Sequence, residues 1–239
     1  MAKAPTPAPQ QKTTFDQILL DASRSGVIYQ RSMTNARNWF RNKAQTLVNV
    51  TARKILDEED RKRFYSGFPT IGRMYLYQYD PKWKNTPKLP YYDHFPLIFP
   101  IEYYPDGWLG INLHYLPLNL RATLMDNLYK ASKKSGYTGP QQGEGDEMLF
   151  DMNTYLPLSY EIMKATKGMK YFHPCIKRYL SAHVRSRLML VYPSEWDAAL
   201  FLPLAQWEGA TQEQVWQDSR DNINNRRGWA SRMFGFGRV

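Results

Sequence analysis

The chain has 239 residues, 43% of them hydrophobic and 23% charged, enough apolar content for a sizeable core and too much for global disorder. Lys and Arg outnumber Asp and Glu by 32 to 22, a net charge of +10, and aromatic residues make up 15%. One Cys excludes an intramolecular disulfide framework and argues against a cysteine-built zinc site, and no apolar run is long enough to span a membrane.

In chain order, residues 1–13 are rich in Pro, Ala, Gln and Thr, without an apolar h-region, and read as a disordered tail rather than a secretory signal. Residues 14–66 read as a basic helical arm. A short helix from Phe15 to Gly26, capped by Thr14, precedes a longer one from Ser32 to about Leu56. Val48–Thr51 is a place for that helix to break, and the charge run 57–63 (DEEDRKR) reads as a solvated helix end or loop.

Residues 67–136 read as a β unit with a following helix. Ile71–Tyr79 alternates like a strand. Phe95–Tyr104 is extended and apolar, with Pro96 and Pro100 pointing to an edge or bent strand. The turn Pro105-Asp106-Gly107 then leads into Trp108–Leu116 as the antiparallel partner. The expectation is a small curved sheet or an SH3-like barrel, with Tyr91, Tyr92 and Phe95 closing one end and Asp93 bonding turn backbone. Pro117 can open the next helix, which Gly136 would stop.

Residues 137–225 read as a helical and strand portion packed on that unit. A Gly-rich loop lacks the Lys-Ser/Thr ending of a phosphate cradle. Helices are expected at Ser159–Lys167 and Pro174–His183, a strand at Val184–Tyr192, and a capped helix at Thr211–Asn222. Residues 226–239 read as a basic, aromatic tail. The fold class is therefore α+β: an N-terminal helical arm, a central antiparallel β unit, and C-terminal helices plus a strand.

The charge is segregated. Residues 22–56, 162–194 and 222–239 hold 18 of the 32 bases and none of the 22 acids. Such acid-free stretches suit phosphate binding, where each neutralised phosphate releases counterion. The candidate DNA-binding residues are Lys170, Lys177, Arg178, Arg185 and Arg187, then Arg37, Arg41 and Lys43. Tyr171, Phe172 and Tyr179 interleave with the second cluster and are candidates for base stacking. An acidic protein surface is the competing partner, and solvated faces over an aromatic core the plainest alternative.

No constellation for catalysis is complete. His173, Cys175 and His183 fit no standard zinc spacing. A Cys175–His nucleophile pair lacks support, and His114 reads as a core or rim histidine. Asp80 and Asp106 sit in ordinary turn sequences, and GVIY at 26–29 matches the opening of one nuclease motif without its second half. The expectation is no enzyme, no metal, no cofactor and no small-molecule substrate.

The strings GRMYLYQYDPK (72–82), LPYYDHFPLIFPIE (89–102), DGWLGINLHYLPLNLRATLMDNL (106–128) and YFHPCIKRYLSAHVRSRLMLVYPSEWDAALFLP (171–203) resemble the DNA end protector family of T-even-like tailed phages, of the marine and cyanobacterial myophage type. The resemblance covers roughly residues 35–220. It implies a late virion protein that acts at head completion, binds the end of packaged double-stranded DNA, and blocks host exonuclease by occlusion. Assembly in the host cytoplasm, contact with head or neck proteins, and delivery to the next host with the DNA are further implications. A structural neck or baseplate component that binds acidic partners is the alternative. The resemblance carries no set of binding residues with it.

Overall fold

The computed structural model describes residues 12–26, 33–47, 49–59, 61–84, 86–134, 156, 158–165 and 169–233. The expected stop at Gly136, the Gly-rich loop and the extreme termini lie outside them.

The first helix, α1 (Thr14–Arg24), begins one residue before the expected place because Thr13, not Thr14, caps it. Thr13 Oγ1 accepts from the Asp16 amide at 3.2 Å, and the Asp16 carboxylate accepts from the Thr13 amide at 3.1 Å. Thr14 is instead buried, its hydroxyl donating to Glu58 at 2.7 Å. Phe15, Ile18 and Ala22 make the buried face. The second helical stretch does break as its sequence suggests, into α2 (Met33–Thr46) and α3 (Ala52–Glu58). Asn49 takes the left-handed conformation at φ 65°, which Asn tolerates better than most residues, and Thr51 caps α3.

The acidic–basic run that follows is only in part the expected solvated end: Asp57, Glu58 and Lys62 are exposed, but two of its charges are not. Glu59 and Arg63 are buried. The Arg63 guanidinium donates to Glu59 at 2.5 Å, to Glu195, and to the Leu190 carbonyl at 3.1 Å, and it lies 4.2 Å over the Tyr192 ring. Its carboxylate partner Glu195 is far along the chain, out of reach of any local pattern.

The centre of the molecule is an open six-stranded antiparallel sheet in the order β1-β7-β2-β4-β5-β6. Its strands are β1 (Phe64–Tyr65), β2 (Met74–Leu76), β4 (Leu97–Tyr104), β5 (Gly107–Asn112), β6 (Ile176–Leu180) and β7 (Leu188–Val191). A separate ribbon pairs β3 (Tyr92–Asp93) with β8 (Trp207–Glu208). No closed barrel forms among the described residues. Tyr91 packs against Tyr115 and Trp207 rather than closing a barrel end, while Asp93 does bond turn backbone through the Phe95 amide.

Three expectations need correction. Of the edge and bent alternatives for Phe95–Tyr104, the edge one fails: β4 pairs with β2 on one side and β5 on the other, and it is the bulged strand. Pro100 is tolerated because the ladder shifts register between Pro100 and Glu102, and its carbonyl still accepts from Gly72 at 3.1 Å. Pro174–His183 is not an α-helix: its ends lie in 3₁₀ turns and its middle is a strand. Pro174 lies in a 3₁₀ segment, Met169–Cys175, after which β6 pairs with β5. The unpaired edge of β5 supplies ladder bonds that local propensity does not register. Finally, the expected strand at 71–79 shrinks to β2 plus a single bridge from Tyr79 to Val184.

The remaining helices are α4 (Leu118–Lys134), α5 (Tyr160–Ala165), α6 (Trp196–Phe201) and α7 (Gln212–Met233). The Pro117 carbonyl accepts from Leu120 and Arg121 to open α4, and Thr211 with Gln214 forms the expected reciprocal cap of α7. That last helix runs eight residues into the stretch that reads as a tail from 226. One sheet draws strands from both sides of residue 136, so the β unit and the C-terminal portion share a framework.

Alternation divides the sheet into two faces. Met74, Leu76, Leu97, Phe99, Ile101, Ile111, Met189 and Val191 point into the main core with the helices. Tyr75, Tyr77, Ile98, Trp108, Tyr179, Leu188 and Leu190 point the other way and form a second, aromatic cluster.

Candidate nucleic-acid interface

The N-terminal candidates serve the packing of helices. Arg37 is only 6% exposed and reaches Asp126 at 2.5 Å and Asp197 at 3.2 Å, tying α2 to α4 and α6. Burial works against its charge, but the two carboxylates prevail and raise its pKa. Arg41 lies 5.5 Å over the Phe201 ring, and Lys43 binds Asp21 of α1 at 2.6 Å.

The second cluster divides. The backbone of Lys170 lies in the 3₁₀ segment, and its side chain is outside the described residues. Phe172 and Tyr179 are buried, and Tyr171 is half-buried against the main core. Tyr179 stacks on Trp108 inside the aromatic cluster, so its ring is committed to the fold. Lys177 is turned inward, its ammonium 3.9 Å above the Tyr115 ring, and burial lowers its pKa to about 8.

Arg178, Arg185 and Arg187 remain at the surface. Arg178 is partly exposed, lies 4.1 Å over the Tyr104 ring and pairs with Asp106. Arg185 is exposed, with Asp80 at 3.7 Å. Arg187 is exposed and donates to the Phe64 carbonyl. None of the three sits on a helix or within β7: Arg178 belongs to the edge strand β6, and the other two to the loop before β7. A groove lined by Tyr65, Ser66, Gly67, Trp108 and residues 184–188 runs beside Arg185 and Arg187.

Tyr65 lines this groove, and Phe68 meets both Tyr103 and the groove's Trp108. Tyr65, Phe68, Tyr103 and Tyr104 are all exposed, and so is Trp83, which has Lys82 and Lys88 each 5.1 Å from its ring. A signal existed for some of them. Tyr103 and Tyr104 directly precede the Pro105-Asp106-Gly107 turn, where neighbouring rings point to opposite sides and cannot both reach a core. Trp83 follows a helix-breaking Asp-Pro pair and sits between two lysines.

Cys175, His183 and His114 are each bonded within the fold. Cys175 is buried, its thiol donates to the Phe172 carbonyl at 2.7 Å, and burial pushes its pKa up to about 12, far from a reactive thiolate. His183 Nδ1 is 2.9 Å from the Asp80 carbonyl. His114 is completely buried, with Nδ1 2.7 Å from Asp93, and burial lowers its pKa despite that carboxylate. Asp93 also accepts from the Phe95 and Gln206 amides and from Asn112. Among the described residues, no group of His, Cys, Asp and Glu could hold a metal ion, and no helix is long and apolar enough to cross a membrane.

An open antiparallel sheet, with helices on one face and a groove bordered by Arg185, Arg187 and exposed Tyr65 on the other, makes this a mixed helix–sheet protein. A family model described as the phage T4 terminal DNA protecting protein matches residues 18–219, and the chain belongs to that family. Neither a curated protein nor a solved structure matches it.

Proposed function

We propose that this protein binds the end of packaged double-stranded DNA in a phage particle and shields it from host exonuclease by occlusion, without catalysis. In this reading it joins the particle at head completion, contacts head or neck proteins, and enters the next host with the DNA. The observation that carries the reading is the placing of Arg185 and Arg187 on one groove with exposed Tyr65, next to exposed Phe68, in a chain of this family. Exposed Lys82, Lys84 and Lys88 extend the same basic surface through the contact of Asp80 with Lys84 and Arg185.

About six phosphate contacts give a slope near −5 in log affinity against log salt, or roughly a thousand-fold loss between 50 and 200 mM. The test is exonuclease digestion of linear DNA with and without the protein, with circular DNA as competitor. Protection that circular DNA competes away poorly supports the reading. Absence of protection at low salt, with neck or baseplate proteins co-purifying, would replace it with a structural role against acidic protein partners.

A further inference from the structure

We infer that Phe68 and its neighbouring rings stack on the terminal base pair of the duplex, so that the protein recognises an end by its uncovered base face while the arginines hold the flanking phosphates. This deepens the proposed function and rests on it.

Phe68 is 47% exposed, yet its loop is held firmly. Gly67 makes the turn at φ +93°, a conformation that a side chain would strain. The Tyr103 hydroxyl donates to the Pro69 carbonyl at 2.8 Å and accepts from the Ile71 amide at 3.3 Å. The Thr70 amide donates to the Tyr75 hydroxyl at 3.1 Å. Three backbone groups of residues 69–71 are thus fixed by two tyrosines of the sheet, and the ring ahead of them is presented, not loose.

Phe68 meets Tyr103 and Trp108 edge-on, at 5.9 and 5.8 Å between centroids, which leaves ring surface facing outward. Tyr65, 41% exposed, stands edge-on to Tyr75 in the same way. Within a duplex every base face is covered by the next pair. Only an end, or an unpaired strand, offers a face on which a protein ring can stack. Stacking tolerates any sequence, as protection of an end requires, and pre-fixed rings lose little freedom on binding. The arginines bordering the groove beside Tyr65 and Gly67 put cationic groups where the last phosphates of such a duplex run.

The experiment measures fluorescence anisotropy with the full chain at fixed low salt. One probe is a 20-base-pair duplex with blunt ends, another the same duplex with both ends closed by hairpin loops, and a third its single strand. The expected result is about ten-fold tighter binding to the open duplex than to the closed one. Phe68→Leu, which keeps the volume and removes the ring, should bring the open duplex down to the level of the closed one. Phe68→Trp should retain the preference, which separates loss of the ring from loss of the fold. Retention of the preference by Phe68→Leu overturns the inference, as does wild-type binding indifferent to closure, or tighter binding to the single strand. A wild-type protein that binds neither duplex overturns the functional reading itself.

Discussion

Replacing Arg63 by Ala leaves two buried carboxylates, Glu59 and Glu195, without the guanidinium that both contact. It also removes a donor to the Leu190 carbonyl and a cation over Tyr192. Breaking a buried ion pair from one side costs about 3–5 kcal/mol, because a charge stays behind without its partner. With a urea slope of about 2 kcal/mol per molar, the unfolding midpoint should fall by roughly 2 M. The loss depends on pH. Burial already pushes Glu195 up to about 7 even with Arg63 opposing it, and without Arg63 the folded state holds that proton more tightly still. A carboxyl whose folded pKa lies above its unfolded value contributes stability below the unfolded pKa and loses it as pH rises through the folded one. The deficit of the variant should therefore be smaller at pH 5 than at pH 8. Urea denaturation followed by tryptophan fluorescence at both pH values measures it, with Lys54→Ala as control. Lys54 makes only an exposed pair with Glu58 at 3.5 Å, so its removal should cost under about 1 kcal/mol. An Arg63→Ala deficit no larger than that of Lys54→Ala would refute the buried network and restore the solvated reading of residues 57–63.

The other predictions separate fold from binding. Arg37→Ala should lower stability by about 3 kcal/mol while leaving the salt slope of DNA binding intact, whereas Arg185→Ala with Arg187→Ala should flatten that slope by about 2 and leave the melting temperature nearly unchanged; thermal melts and binding titrations at several salt concentrations check both halves. Arg178→Glu should weaken DNA binding for all sequences in a protein that still folds, but Lys177→Glu, which places a carboxylate against the Tyr115 ring, should fail in circular dichroism melts before binding can be measured. Gly72→Ala should destabilise strongly, by about 2–4 kcal/mol in denaturant, because Gly72 has φ +79° and an added Cβ would lie 1.8 Å from the Leu156 carbonyl oxygen.

The parts of the fold legible in the sequence are those whose cause is local. The β4–β5 hairpin is announced by extended apolar runs on either side of the Pro105-Asp106-Gly107 turn, and α7 by Thr211 and Gln214 at capping distance. What stayed hidden depends on partners far along the chain. β6 is a strand because β5 offers it an edge, although Lys177 interrupts its apolar pattern. Arg37 lies in an acid-free stretch of sequence yet meets Asp126 and Asp197 in space, so absence of acids nearby in the chain was a poor measure of free positive charge. Arg178, Arg185 and Arg187 are held outward by a strand edge and a loop, yet Arg178 still meets Asp106, and Arg185 has Asp80 at 3.7 Å. Aromatic residues misled in both directions: Tyr179, singled out for its basic neighbours, fills the second cluster, while Phe68 drew no notice and lies exposed.

The weave of the sheet also sets the timetable of its assembly. β7 is inserted between β1 and β2, and β6 completes the far edge beside β5, so both ends of the sheet wait for residues 176–191 to leave the ribosome. Until then β2, β4 and β5 form at most a three-stranded core whose outward rings, Tyr75, Tyr77 and Trp108, lack Tyr179, Leu188 and Leu190 to cover them. Pairing across such distances makes folding slow and leaves sticky edges in the interim. A nascent chain of this protein is thus most vulnerable to aggregation late in its synthesis, and fragments that stop before Leu188 inherit that vulnerability permanently.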